Sequence, residues 1–241
     1  MDQTMERAGN FLPRVDEGER NEVDRRVVSL TAPGSSAAEQ YRTLYYRLER
    51  LRDLRPMRVM ALTSAMPGEG KTMTAVNLAL TAARATPDRR ILLIDADLRR
   101  SQVASVLGFK SKPGLSELLT GECELAEAVR RFRSTQLAVI PAGATPDEPT
   151  QLLASRRMKD LMQGVKDNFE EVYVDLPPTL PFADASILAA LSDGVLLVIR
   201  ANVTSTRMVS QALENLTGAA VVGCVLNAAE QGAAPYVKAY R

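Results

Sequence analysis

The sequence predicts a single α/β domain, a doubly wound and mostly parallel sheet with helices on both faces, and three observations predict it. Short apolar runs recur along the chain, each followed by a stretch with helical spacing of apolar residues, the alternation that builds a parallel sheet covered on both sides. One run, Val59-Met-Ala-Leu-Thr-Ser64, passes directly into the Gly-rich turn Ala65-Met-Pro-Gly-Glu-Gly-Lys-Thr72. Two other runs end in acids, one at Asp95 with Asp97 behind it and one at Asp175. In an open parallel sheet, ligands bind beyond the carboxyl ends of the strands, so turn and acids are expected to face one another. This is the organisation of a P-loop NTPase.

Composition narrows the function classes. A chain of 241 residues, 46% of them hydrophobic, is long enough to bury about three quarters of its unfolded surface without disulfides or structural metals. Its 30 basic and 29 acidic residues leave a formal charge of +1, which argues against bulk affinity for nucleic acid or anionic membranes. There is no histidine, so imidazole catalysis and His-ligated metals are excluded. Cys123 and Cys224 match no zinc or redox spacing and fit a reducing cytoplasm. Asp2, Glu6 and Arg7 stand where a secretory signal needs an apolar core. The longest uncharged stretch, Asn215 to Ala229, is 15 residues with two glycines, too short to span a bilayer. A cytoplasmic chain without a direct membrane span is expected.

Taken in order, residues 1–34 are charge-rich, without periodicity, and read as a flexible leader. The domain is expected over 35–228. It begins with a helix, because Ser36-Ala-Ala-Glu39 has capping-box spacing and Tyr41, Leu44, Tyr45, Leu48 and Leu51 fall on one face. The opposite face, with Glu39, Arg42, Arg47, Glu49, Arg50 and Arg52, reads as solvated. The first strand then leads into the turn, which reads as a phosphate-binding loop: Gly68 and Gly70 let backbone N–H groups approach phosphate oxygens. Lys71 reaches the terminal phosphates, and Thr72 offers its hydroxyl to Mg²⁺. The helix starting near Lys71 aims its positive end at the same anion, so Pro67, Gly68, Glu69, Gly70, Lys71, Thr72 and Met73 form the candidate nucleotide-binding stretch. Ala65 replaces the first Gly of the strict pattern; a plain glycine turn ahead of a lysine is the alternative.

Arg90-Ile-Leu-Leu-Ile-Asp-Ala-Asp97 reads as a strand delivering Asp95 and Asp97, able to hold Mg²⁺ or take a proton from an attacking hydroxyl. Asp97 can instead cap a helical stretch near residues 100–107. Residues 113–135 read as short helices, 136–140 as a strand, 156–168 as a helix and Glu171–Asp175 as a strand. Asp175, before Leu176-Pro-Pro178, has the Walker B position for holding Mg²⁺ or its waters. Two more strands, 195–199 and 220–226, flank a helix with Met208, Val209, Ala212, Leu213 and Leu216 on one face. Asn227 closes the last strand and either contacts the adenine edge or caps a turn. Residues 229–241, with Tyr236 and Tyr240, read as a flexible tail.

From about residue 33 to 227 the chain resembles the bacterial tyrosine kinases, P-loop domains that autophosphorylate and regulate polymerisation and export of surface polysaccharides. The resemblance rests on Ala38-Glu-Gln-Tyr-Arg-Thr-Leu44, Ser64-Ala-Met-Pro-Gly-Glu-Gly-Lys-Thr72, Leu92-Leu-Ile-Asp-Ala-Asp-Leu-Arg-Arg100 and Gly114-Leu-Ser-Glu-Leu-Leu-Thr-Gly121. Pro149-Thr-Gln-Leu-Leu-Ala-Ser155, Val174-Asp-Leu-Pro-Pro178 and Gly223-Cys-Val-Leu-Asn227 extend it. It implies ATP and Mg²⁺ as cofactors, with Thr72, Asp97 and Asp175 around the metal, Lys71 neutralising charge and Asp95 accepting the tyrosine proton. It further implies tail acceptors, here Tyr236 and Tyr240, phosphorylated by a neighbouring subunit in a homo-oligomer. A membrane-bound chain-length regulator, whose cytoplasmic tail activates the kinase and recruits it to the inner face of the membrane, is the implied partner. Two departures stand out: the tail holds only two tyrosines, and the helical oligomerisation pattern of Glu, Arg and Arg is met by Glu39 and Arg42 but has Tyr45 third. An ATP-binding regulatory module without kinase activity is therefore a second reading. A partitioning or division-site ATPase is a third, against which Met66 stands where that class has Lys.

Overall fold

The structure, a computed structural model, describes residues 23–132, 135 and 137–229. Its elements run α1 (Val28–Thr31), α2 (Ser36–Leu54), β1 (Val59–Ser64), α3 (Lys71–Ala85), β2 (Ile91–Asp95), α4 (Val103–Leu107), α5 (Leu115–Thr120), α6 (Leu125–Ala128) and β3 (Arg130–Phe132). Then follow β4 (Leu137–Ile140), α7 (Pro149–Leu153), α8 (Arg156–Asn168), β5 (Glu171–Asp175), α9 (Asp184–Ala189), β6 (Gly194–Arg200), α10 (Thr206–Asn215) and β7 (Val221–Asn227). The strands form one sheet in the order β3-β4-β2-β5-β1-β6-β7, and only β3 runs antiparallel to its neighbour.

Strand alternation divides the core into two layers. Val59 and Ala61 of β1, Leu92 and Ile94 of β2, and Val172 and Val174 of β5 pack against Met158, Met162 and Val165 of α8 and Leu188 of α9. Met60, Leu62, Leu93 and Tyr173 point the other way, onto Val76 and Leu80 of α3 and Tyr45 and Leu48 of α2. Registers of Leu62 with Asp175 and of Asp95 with Asp175 bring the ends of β1, β2 and β5 level, which sets the phosphate loop beside both acidic strand ends. Among the described residues, no helix is long and apolar enough to cross a membrane.

Several expectations are corrected. Residues 23–34, expected in the flexible leader, pack on α3: Val27 is buried, the Ser29 amide donates to Asn77 Oδ1 at 2.9 Å, and Asn77 Nδ2 donates to Arg26 O at 3.1 Å. Buried polar side chains on an Ala-rich helix need partners, and this segment supplies them. The cap of α2 is Ser35, whose hydroxyl accepts from the Ala38 amide, one residue before the expected capping box; Glu39 turns to Arg42 instead.

The outer face of α2 is not wholly solvated. Arg52 is half-buried against Glu171 at 2.8 Å and Glu49 at 2.7 Å, and Arg89 reaches Glu171 at 3.0 Å. Glu171 heads β5 with 1% side-chain exposure, and that carboxylate draws the arginines inward. Tyr46 is exposed, and so is Leu213 of α10, expected on the apolar face of that helix. Residues 130–132, expected within short helices, form the edge strand β3, too short to carry a period of its own.

Candidate active site

The phosphate loop is held open by backbone geometry and fastened from one side. Gly68 and Gly70 have φ of 84° and 93°, a left-handed conformation that a side chain disfavours, and Gly70 is the N-cap of α3. Asn227, at the end of β7, donates from Nδ2 to Glu69 O at 2.9 Å and lies where a Cβ on Gly70 would come within 2.0 Å. The Glu69 side chain turns away from the loop interior: it is buried, accepts from the Met66 amide at 3.2 Å and takes the Thr204 hydroxyl proton in a short hydrogen bond. Arg200 donates to Gly68 O at 3.3 Å. Pro67 and Gly68 are exposed, and Met73 is half-buried. Sequence reasoning missed Arg200 and Thr204, which approach the loop only through the pairing of β6 with β1.

Lys71, Asp95, Asp97 and Asp175 converge where the loop meets the ends of β2 and β5. Lys71 Nζ lies 2.8 Å from Asp97 Oδ2, 3.8 Å from Asp175 Oδ1 and 3.4 Å from Thr72 Oγ1. Burial pulls its pKa down, but Asp175 and Asp97 outweigh this and hold the ammonium above its ordinary range. Asp175 is fully buried and neither carboxylate oxygen has a hydrogen-bond partner. Burial pushes it up to about 6, against the pull of Lys71 and the nearby Thr72 hydroxyl.

Asp95 is also fully buried, and it is Asp95 rather than Asp97 that caps α4. Its Oδ2 accepts from the Gln102 and Val103 amides at 3.2 and 3.0 Å, and its Oδ1 from the Asp97 amide at 3.2 Å. Burial and the charge of Asp175 push it up to about 8. Asp97 Oδ1 accepts from the Arg100 amide at 3.0 Å, closing the turn that follows β2.

Two buried carboxylates, a hydroxyl and a lysine beneath a helix N-terminus can receive a polyphosphate and a hard cation together. Asp175 fits that role directly, because two buried oxygens without hydrogen-bond partners are what a cation or its waters would satisfy. Among the described residues no group of three or more His, Cys, Asp or Glu side chains could hold a metal ion alone. A cation here needs Thr72, phosphate oxygens and water to complete its shell, the habit of Mg²⁺.

The expected oligomerisation residues lie apart from this site. Glu39 and Arg42 pair with each other on exposed α2, and Arg42 also donates to Pro33 O at 3.0 Å. Tyr45 is buried, its hydroxyl donating to Glu171 Oε1 at 3.2 Å. Tyr236 and Tyr240 lie outside the described residues.

A family model described as an AAA domain matches residues 57–220. Tyrosine-protein kinase YwqD of Bacillus subtilis (strain 168) is 35% identical over 207 residues, which cover 85% of this chain and 86% of that protein. The chain belongs to the bacterial tyrosine kinase family. Another relative, the succinoglycan biosynthesis transport protein ExoP of Rhizobium meliloti (strain 1021), is 35% identical over 84% of this chain but only 26% of its own length, so the chain spans about a quarter of it. Among solved structures, the kinase domain of Escherichia coli tyrosine kinase ETK superposes with a TM-score of 0.80 at 29% identity, over 90% of this chain and 88% of that one. The tyrosine kinase fold thus accounts for nearly all of the described residues.

Proposed function

We propose that this chain is an ATP-dependent protein-tyrosine autokinase that regulates polymerisation and export of a bacterial polysaccharide together with a membrane-bound chain-length regulator. The observation that carries this reading is the convergence of Lys71, Asp97 and Asp175 over the phosphate loop, with both Asp175 oxygens buried and without a hydrogen bond. When bound, Mg²⁺ neutralises charge on the phosphates and so favours displacement at the terminal phosphorus. Thr72, Asp97 and Asp175 would hold it, directly or through water.

The residues of the chain do the rest. Backbone N–H groups from Gly68 to Met73 cradle the phosphates, and Lys71 exchanges its carboxylate partners for the terminal oxygens. Asp95 accepts the tyrosine proton. Its raised proton affinity suits a base working near neutrality, and Oδ1, with one backbone donor, keeps a lone pair for that proton. As the tyrosine oxygen bonds to the γ-phosphorus, the bond to the bridging oxygen breaks and ADP leaves. Asn227 and Arg200 lie on the side where the base enters, with Asn227 serving adenine recognition as well as bracing Glu69.

Tyr236 and Tyr240 are the acceptors in this reading. Glu39 and Arg42 help assemble the homo-oligomer, and the chain is cytoplasmic until its partner recruits it to the inner face of the membrane. A regulatory ATP-binding module is the second reading, favoured by one observation: Tyr45, in the third position of the assembly pattern, is buried and unavailable to a neighbour. Incubation of the full chain with ATP and Mg²⁺, with and without the partner's cytoplasmic tail, followed by site-resolved mass spectrometry separates the two. Phosphate on Tyr236 or Tyr240 that vanishes in Lys71→Met supports the kinase; bound ATP without phosphotyrosine under both conditions supports the module.

A further inference from the structure

Arg99 has no part in the chemistry above, yet its guanidinium joins three loops leaving the carboxyl ends of adjacent strands β4, β2 and β5. It stands in the turn after β2. Nε donates to Asp184 Oδ2 at 2.7 Å, and Nη2 donates to Thr150 Oγ1 at 2.9 Å and to Asp184 Oδ1 at 3.5 Å. Thr150, in the first turn of α7 after β4, donates to Asp184 Oδ1 at 2.5 Å. Asp184 opens α9 after β5 and is fully buried, so Arg99 is the cation that balances it. The guanidinium carbon also lies 4.1 Å from the centroid of the half-buried Phe182 ring.

An ion pair with one fully buried member costs desolvation that apolar contact would avoid, and losing Arg99 would leave Asp184 buried without its cation, so the pair ties the three loops to one arrangement. The position of the cluster says what that geometry serves. Arg200, Thr204 and Asn227 brace the phosphate loop from the β6–β7 side, whereas Lys71, Asp97 and Asp175 lie over β1, β2 and β5. In the kinase reading the terminal phosphate would point toward β5 and β2, which leaves the β2–β4 side, past Arg99 with its 28% side-chain exposure, for a second substrate. A planar cation stacked on an aromatic ring makes a ledge suited to a tyrosine ring.

We propose that Arg99, with Thr150, Asp184 and Phe182, is the positioning device for the acceptor tyrosyl segment, fixing three loops into one wall opposite the phosphates. The proposal rests on the kinase reading.

The test measures transfer from the full-length chain to Lys71→Met chains, which retain every acceptor, at increasing acceptor concentration. Affinity for a fluorescent ATP analogue is measured beside it. In Arg99→Lys, which keeps the charge and loses the fork, we expect analogue affinity within about twofold of wild type and transfer per acceptor (kcat/KM) lowered about 10- to 100-fold. Thr150→Val, which leaves Arg99 paired to Asp184, should lower the same quantity by a smaller factor and guards against misfolding of the first variant. Equal losses of nucleotide affinity and transfer, or unchanged acceptor kinetics in both variants, overturn the proposal. A wild type that binds the analogue but transfers nothing overturns the kinase reading first, and the acceptor role with it.

Discussion

Substituting Gly70 by Ala tests how the phosphate loop is built. The added methyl meets two separate obstacles. Residue 70 has φ of 93°, and holding an L-residue in the left-handed region costs about 1–2 kcal/mol. The new Cβ would also stand 2.0 Å from Asn227 Nδ2, so Asn227 must swing away and abandon its 2.9 Å hydrogen bond to Glu69 O, a further loss of about 1 kcal/mol. Together Gly70→Ala is expected to cost about 2–3 kcal/mol. Asn227→Ala alone loses only the hydrogen bond, about 1 kcal/mol. In the double variant the collision is gone and the left-handed backbone remains, so the two changes couple by about 1 kcal/mol, the double variant being less damaged than the sum. Urea denaturation of the four proteins gives the cycle, and titration with a fluorescent ATP analogue reports on the loop. A coupling within about 0.3 kcal/mol of zero would refute the claim that Asn227 packs on Gly70.

Asp175→Asn should weaken the Mg²⁺-dependent part of ATP-analogue binding while leaving metal-free binding unchanged or tighter, since one repelling charge is gone, measured by titration with and without a chelator; equal weakening of both would remove Asp175 from the cation site. Arg52→Met leaves buried Glu171 with Arg89 and the Tyr45 and Tyr173 hydroxyls and should cost up to about 3 kcal/mol, read as a lower urea midpoint. A loss below about 1 kcal/mol would mean that the network is solvated after all. Glu170 is held below its ordinary 4.5 by the hydrogen bonds from Arg90. The Arg90→Met variant keeps the backbone amide bond but loses the guanidinium, the larger cause of that depression, and should therefore be less stable than wild type by up to about 0.5 kcal/mol above that pH, the pair being largely exposed. The difference should shrink as pH falls and Glu170 takes up its proton. A gap that widens in acid would contradict this sign.

The central sheet was legible because its signals are local and repeated. Val59–Ser64, Ile91–Asp95 and Glu171–Asp175 are apolar runs with unmistakable ends, and the glycines, Lys71 and the three aspartates are read from spacing alone. What escaped is decided by partners distant in the chain. Nothing near Arg52 reveals that Glu171 will lie beneath it, and nothing near residues 23–34 reveals that Asn77 and Thr81 need hydrogen bonds. Adjacency offers Asp97 as the alternative cap of α4, whereas the turn after β2 folds back so that Asp95 reaches the Gln102 and Val103 amides. Arg200 ends, and Thr204 follows, a strand that pairs beside the phosphate loop, a relation set by strand order.

The resting position of Lys71 makes the site behave as an ion exchanger already loaded with its own counter-ion. While the ammonium sits between Asp97 and Asp175, those acids have a compensating charge in a place water barely reaches. Drawing Lys71 toward a bare triphosphate would strip that charge away and leave the acids facing more negative charge. Arrival of nucleotide and Mg²⁺ as one unit lets each displaced charge find a replacement in the same event. In the proposed kinase reading such a pocket would discriminate between metal-loaded and metal-free nucleotide before any chemistry begins, with a threshold set by how tightly one lysine is held.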